Sequence, residues 1–122
     1  MNKFSDRRKE PRKKLMAFTP VYEKPKGIPL GYIQDLTLQG VLVIGEMKLN
    51  VDQKTMLSFE LPGGLTGIQE TNLNVSARVA RCEPDESSNT YKIGFEFTDI
   101  EVEQIEIIEA LLKRYHFQHK MP

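Results

Sequence analysis

The chain has 122 residues, 17 Lys and Arg against 17 Asp and Glu, 39% hydrophobic residues and no Trp, enough for one compact soluble domain and too little for two. Its longest uncharged stretch, residues 36–45, includes Thr37, Gln39, Gly40 and Gly45. This excludes a membrane helix of about 20 apolar residues, and the basic start MNKFSDRRKEPRKK lacks the apolar run and cleavage site of a secretory signal, so a cytoplasmic location is expected.

The single cysteine, Cys82, cannot form an internal disulfide, and the chain is short of ligands for a metal cluster. The balanced charge argues against a generic nucleic-acid binder.

Residues 1–14 carry Lys3, Arg7, Arg8, Lys9, Arg12, Lys13 and Lys14 against Asp6 and Glu10, a local charge of 7 − 2 = +5. They read as a flexible basic segment that seeks phosphates, carboxylates or an anionic surface. The rest, residues 15–122, reads as the folded domain. Residues 15–22 are apolar and β-prone and stop at Glu23-Lys24-Pro25-Lys26-Gly27, where Pro and Gly favour a turn. A second strand over 31–35 passes through 36–40 into the β-branched run 41–44.

Residues 56–61 alternate apolar and polar until Pro62-Gly63-Gly64. Residues 73–79 place Leu73, Val75, Ala77 and Val79 on one face and Asn74, Ser76 and Arg78 on the other. A polar loop over 84–89 precedes the last strand, 91–98. Six strand-like segments at short spacing predict an antiparallel barrel or sandwich, an all-β fold.

The end of the chain changes period. Val102, Ile105, Ile108, Leu112 and Tyr115 recur near the 3.6-residue repeat, which predicts one helix over about 100–117. Asp99 is placed to cap it, and Lys113 and Arg114 suit its C-terminal end. The apolar stripe is expected to cover an open end or flank of the barrel. Residues 96–112 hold Glu96, Asp99, Glu101, Glu103, Glu106 and Glu109 and no Lys or Arg, so the zero net charge conceals a cationic head and an anionic tail.

Two motifs carry chemistry. In Arg7-Arg8-Lys9-Glu10-Pro11-Arg12, Arg8 and Arg12 are four apart and share a side in either a helix or a strand. Guanidinium groups grip phosphate oxygens in bidentate fashion and stack on flat π systems; a solvated basic tail is the plainer reading. In Asp35-Leu36-Thr37-Leu38-Gln39-Gly40, Asp35 and Thr37 share a face if extended, and Gly40 permits a positive φ or close ligand approach. The Asp35 carboxylate accepts at both oxygens, matching the two adjacent N–H donors of a guanine edge. Taken alone, an ordinary hairpin, with Asp and Thr bonding their own backbone, is the plainer reading.

In this order and separation the motifs resemble the PilZ family of cyclic di-GMP receptors, whose pattern is RxxxR followed some twenty residues later by [D/N]xSxxG. The resemblance extends through Val41-Leu42-Val43, the strand at 56–61, Ala77-Arg78-Val79-Ala80-Arg81, Gly94-Phe95-Glu96-Phe97 and the closing helix. It implies a six-stranded antiparallel PilZ-type β-barrel with one C-terminal α-helix and the ligand on the barrel's outer surface under the Arg segment.

On the same resemblance Arg7, Arg8 and Arg12 contact phosphates and guanine faces, Asp35 reads a guanine edge, Thr37 bonds ligand or supports the loop, and Gly40 leaves room. Thr37 stands where the family usually has Ser, keeping the hydroxyl and adding a methyl. Arg78 is a further candidate for stacking on a base, and a solvent-exposed Arg is expected without ligand. The implied protein is a receptor, not an enzyme, with no cofactor beyond its ligand. The ligand orders the Arg segment, which then presents a changed surface to a downstream partner protein.

Two rival readings are a small barrel that binds single-stranded nucleic acid and a PilZ-like adaptor that binds no nucleotide. The first lacks stacking platforms, since Phe59, Phe95 and Phe97 fall at core-like positions. Against the second stand Arg8, Arg12, Asp35 and Gly40. His116 and His119 have no acid or Cys within a helical turn and read as exposed. Cys82 reads as a buried or half-buried thiol.

Overall fold

Alternation of apolar and polar residues with period two builds six strands: β1 (Pro20–Lys24), β2 (Ile28–Leu36), β3 (Gly40–Gly45), β4 (Lys54–Glu60), β5 (Asn72–Asp85) and β6 (Thr90–Phe97), followed by α1 (Val102–Lys120). The computed structural model describes residues 19–65 and 67–120, the last six of these as backbone alone. Arg7, Arg8, Arg12 and the expected strand residues 15–18 therefore lie outside the described residues. Every strand pair is antiparallel, and the order β1-β2-β3-β6-β5-β4 closes because β4 returns to pair with β1. Among the described residues closure leaves no open sheet edge to template association.

The interior is filled by one side chain from every second position. Val21, Val43, Leu57, Phe59, Val75, Val79 and Ile93 have no exposed surface, and side chains of this kind each contribute about 1.5–3 kcal/mol on burial. The six-stranded barrel with a C-terminal helix that the resemblance implied is the fold observed. Its boundaries differ where pairing outruns composition. β1 runs to Lys24, into the expected turn, because Glu23 and Lys24 pair with Leu57 and Met56.

β5 passes through the expected loop to Asp85 because it serves two partners. Its residues 72–78 pair with β4 and its residues 77–85 with β6. Pro84 and Asp85 are thus in the ladder, and the connection shrinks to 86–89. It is closed by Asp85 Oδ1, which accepts from the Ser87 N–H at 3.2 Å and the Ser87 hydroxyl at 2.8 Å.

Two β-bulges decide what the outer surface offers. On β2, Ile33 pairs with Val43 and Asp35 with Leu42, so Gln34 is an extra residue. On β5, Val79 pairs with Phe95 and Arg81 with Gly94, so Ala80 is extra. In a regular strand Asp35 would follow Ile33 inward and Arg81 would follow Val79 inward. Each bulge restores the outward phase, leaving Asp35 and Arg81 exposed while Leu36 stays buried.

The helix begins at Val102, two residues later than expected, and extends to Lys120. Glu101, not Asp99, occupies the N-cap: its carbonyl accepts the Ile105 N–H at 2.9 Å, and its own N–H donates to Gln104 Oε1 at 2.7 Å. This is the return half of a capping box. Gln104 Nε2 also donates to the Asn74 carbonyl at 2.6 Å, tying the helix to β5.

The helix face also differs from the expected stripe. Ile107, Ile108 and Leu111 are buried, whereas Val102 is 69% exposed. Arg114 donates to the Gly63 carbonyl at 3.0 Å, so the helix lies along the β4–β5 connection, whose Leu65 joins the core. Among the described residues no helix is long and apolar enough to cross a membrane.

Candidate ligand-binding site

The chain enters the barrel at Thr19, whose carbonyl accepts the Ile33 N–H at 3.0 Å. Antiparallel pairing places the start of β1, the end of β2, the start of β3 and the end of β6 at this same end. The short connection 36–40 therefore lies beside the point from which residues 1–18 depart. Next to it, on the outer face of β2, β3, β6 and β5, is a shallow hollow of about 340 Å³. Asp35, Thr37, Gly40 and Arg78 all line it, together with Leu42, Arg81, Gly94 and Glu96. Four of the seven residues singled out in the sequence thus meet at one surface, and the other three lie outside the described residues.

The connection itself is a hairpin of the plain kind. The Thr37 N–H donates to the Gly40 carbonyl at 2.9 Å. Thr37 Oγ1 accepts from the N–H groups of Gln39 at 3.1 Å and Gly40 at 3.2 Å, and its hydroxyl donates to the Gly40 carbonyl at 3.4 Å. These bonds of the hydroxyl all fall within its own loop. Asp35 Oδ1 accepts the Leu36 N–H at 3.0 Å; no bond to Oδ2 is made among the described residues, and the side chain is exposed.

Of the two roles expected of Gly40, the positive φ is not found, and close packing of two backbones is an added reason for the glycine. It pairs with Glu96 on β6, and a Cβ here would stand 2.1 Å from the Phe95 carbonyl oxygen. The missing side chain lets two backbones approach at the rim of the hollow.

Arg78 also departs from expectation. It is only half-buried and carries two ion pairs, one with Asp52 at 2.6 Å and a second with Glu96. Hydrogen bonds to Glu96, first, and to Asp52 raise its pKa above the ordinary arginine value. The outward placement read from the alternation of β5 holds, and the reason the side chain is not free in solvent is long-range: Asp52 comes from the β3–β4 connection, held by its N–H donating to the Val79 carbonyl at 2.7 Å.

Arg81 is the residue the sequence reading missed. Its side chain extends over Gly94, where a Cβ would lie 3.1 Å from Arg81 Cγ and 3.2 Å from Nε. Simple alternation assigns Arg81 to the inward set with Ala77 and Val79. A charged residue on an apolar phase is the available signal for a bulge, and Asp35 after Ile33 gives the same signal. Among the described residues, no three His, Cys, Asp or Glu side chains converge as a metal ion would need. Cys82 is half-buried, its Sγ accepting the Leu49 N–H at 3.5 Å.

A closed six-stranded antiparallel barrel with an apolar core, a C-terminal helix and a polar hollow on its outer wall is the class of domain that the fold defines. The PilZ domain model matches residues 6–114, and the chain belongs to the PilZ family. Its fold is similar to that of the motility inhibitor MotI/DgrA of Bacillus subtilis, with TM-score 0.63 and 16% identity over 81% of this chain; the chain spans 47% of that protein. It is also similar to the PilZ domain of YcgR from Escherichia coli, solved with c-di-GMP, with TM-score 0.58 and 12% identity over 82% of both chains. A third similar structure is the PilZ domain of CeSA from a cellulose-synthesizing bacterium, with TM-score 0.50, 21% identity, and coverage of 80% of this chain and 90% of that one. No curated protein sequence matches the chain.

Proposed function

We propose that this protein is a cytoplasmic cyclic di-GMP receptor whose N-terminal segment closes over the ligand and then addresses a partner protein, with no catalytic step. The observation that carries the reading is the convergence of Asp35, Thr37, Gly40 and Arg78 on one outer hollow beside the chain's entry point. Family membership and the likeness to a PilZ domain solved with c-di-GMP support it.

Electrostatics explains why the segment is required. The charged residues of the hollow are Asp35 and Glu96 against Arg78 and Arg81, which cancel. A dianionic dinucleotide gains little net attraction from such a wall, so the cations must come from residues 1–14 with their +5 charge. Arg12 precedes Thr19 by seven residues, a reach of up to about 25 Å. The hollow spans three strand spacings, about 14 Å, so Arg8 and Arg12 can meet phosphates anywhere along it. Ordering the segment costs conformational entropy, which the relief of repulsion among its cations and the charge-assisted bonds to phosphate offset.

Isothermal titration calorimetry of the intact chain with cyclic di-GMP tests this. Each guanidinium–phosphate contact is worth about 1.5–3 kcal/mol, so Arg8→Ala and Arg12→Ala are each expected to weaken binding roughly ten- to hundredfold. Absence of binding heat, or undiminished binding in both variants, overturns the proposal.

A further inference from the structure

A larger hollow, about 810 Å³, lies between α1 and the β4–β5 connection, away from the outer wall described above. Its floor is apolar: Leu65 is buried, and Ile68 and Ala110 are half-buried. Gly63, Gly64 and Gly67 leave their side of the groove bare, and a Cβ built on any of them would meet no atom within 4 Å. Charge is ordered along the helix. Lys113 and Arg114 stand at one end, where Arg114 donates to the Gly63 carbonyl. Glu106 and Glu109 stand at the other, three residues apart and so on one side of the helix. From Glu106 to Arg114 the groove follows α1 for about 12 Å.

Residues 1–18 lead away from Thr19 at the mouth of this groove. Val21 pairs with Phe59, and the same antiparallel register carried two residues further sets Thr19 beside Leu61, about one strand spacing or 4.8 Å away. Leu61 is two residues from Gly63, at the Arg114 end of the groove. Backwards from Thr19 the sequence runs Phe18, Ala17, Met16 and Leu15, then Lys14, Lys13 and Arg12. Four extended residues cover about 13 Å, the length of the floor. The apolar run therefore matches the floor, and the cations arrive where Glu109 and Glu106 stand. The outer hollow lies the other way. In the closed order β1 has β2 on one side and β4 on the other; the hollow begins at β2 and the groove at the end of β4, so the segment cannot fill both.

We propose that, without ligand, residues 12–18 lie in the groove between α1 and the β4–β5 connection, residues 15–18 on its floor and Lys13 and Lys14 against Glu106 and Glu109. Cyclic di-GMP competes with the groove for this segment, and its binding bares the groove and the acidic side of α1 to a partner. The release rests on the receptor reading; the docking does not.

Paramagnetic relaxation on the intact, isotope-labelled chain tests the docking, with a nitroxide at Lys9→Cys in a Cys82→Ser background. Without ligand the amides of residues 63–68 and 106–113 are expected to broaden, and Glu106→Gln with Glu109→Gln is expected to remove the effect. No broadening there, or broadening indifferent to that pair, overturns the docking. Broadening in a mixture of isotope-labelled chains without nitroxide and unlabelled chains with it assigns the groove to a second copy and overturns it equally. Calorimetry tests the competition. A docked segment lowers apparent affinity by the fraction left undocked, so the Glu106→Gln, Glu109→Gln pair is expected to bind cyclic di-GMP roughly three- to tenfold more tightly. Glu101→Gln with Glu103→Gln makes the same change of charge outside the groove and is expected to bind as wild type. Equal tightening in both pairs reduces the effect to net charge and overturns the release, as does tightening in neither. If cyclic di-GMP gives no heat while the groove broadens as expected, the receptor reading and the release fail and the docking stands.

Discussion

Replacing Thr37 by Val separates the two roles a hydroxyl at this position can play. The substitution keeps the shape of the side chain and removes the oxygen that accepts from the Gln39 and Gly40 N–H groups at 3.1 and 3.2 Å. A typical intramolecular hydrogen bond contributes about 0.5–1.5 kcal/mol net. The loop is exposed, so water takes over part of the loss, and the expected cost is about 1–2 kcal/mol. For a domain of this size that lowers Tm by on the order of 5–10 °C.

Thermal denaturation followed by circular dichroism reads the shift, with Thr37→Ser as the control expected to retain wild-type Tm within about 2 °C, since it keeps the oxygen. If Thr37 acts by holding the hairpin, its Val variant loses stability and binds cyclic di-GMP more weakly only to the extent that the loop loosens. An unchanged Tm combined with lost ligand affinity would refute the reasoning, because the hydroxyl would then be addressing the ligand.

Three further outcomes follow from the geometry. Gly40→Ala forces a Cβ to within 2.1 Å of the Phe95 carbonyl and is expected to cost at least the roughly 1–3 kcal/mol of an overpacked site, measured by urea denaturation, whereas Gly94→Ala is expected to leave stability nearly unchanged. Phe59→Ala empties a fully buried position in the barrel, and its urea midpoint is expected to report a loss of about 3–5 kcal/mol. Asp85 is held below the ordinary carboxyl value, chiefly by the Ser87 hydroxyl. A carboxyl depressed on folding stabilises above its unfolded pKa, about 3.9, and that stabilisation disappears as pH falls through the folded value. Asp85→Asn is therefore expected to lower Tm at pH 7, with the gap to wild type starting to close as pH falls below about 4 and closing further as pH passes the lower folded value; a difference that stays constant from pH 7 into this acid range would contradict the assignment.

Much of this molecule is written in local pattern, and the parts that are not share a physical cause. The alternation of residues 73–79 and the β-branched run 41–44 specify strands and their inward faces without reference to partners. The ordered motifs place Asp35, Thr37, Gly40 and Arg78 together because family spacing encodes which strands meet. Local pattern fails where the ladder decides. Gln34 and Ala80 look like ordinary alternating residues, yet each is absorbed as a bulge and reverses the phase behind it, which is how Arg81 escaped a period-two reading.

Arg78 was legible as outward but not as ion-paired, since Asp52 and Glu96 reach it from 26 and 18 residues away. Of the expected stripe Ile108 is buried and Val102 is not, and the buried face turns to include Ile107 and Leu111, because the helix's docking on β5 through Gln104 and on the β4–β5 connection through Arg114 is set by tertiary contacts and not by the helix's own periodicity.

The central claim is that ligand lies on the outer wall spanned by β2, β3, β6 and β5. Amide chemical-shift mapping of isotope-labelled protein titrated with cyclic di-GMP tests it most directly. The expected result is a set of perturbations centred on residues 35–42, 78–81 and 94–96 and on the segment containing Arg7, Arg8 and Arg12, with smaller shifts where that segment leaves the α1 groove and the opposite wall around Tyr22 and Met56 silent. Perturbations centred instead on the larger cavity of about 810 Å³ that α1 forms with Gly63, Gly64, Leu65, Gly67 and Ile68, or none at saturating ligand, would contradict the account.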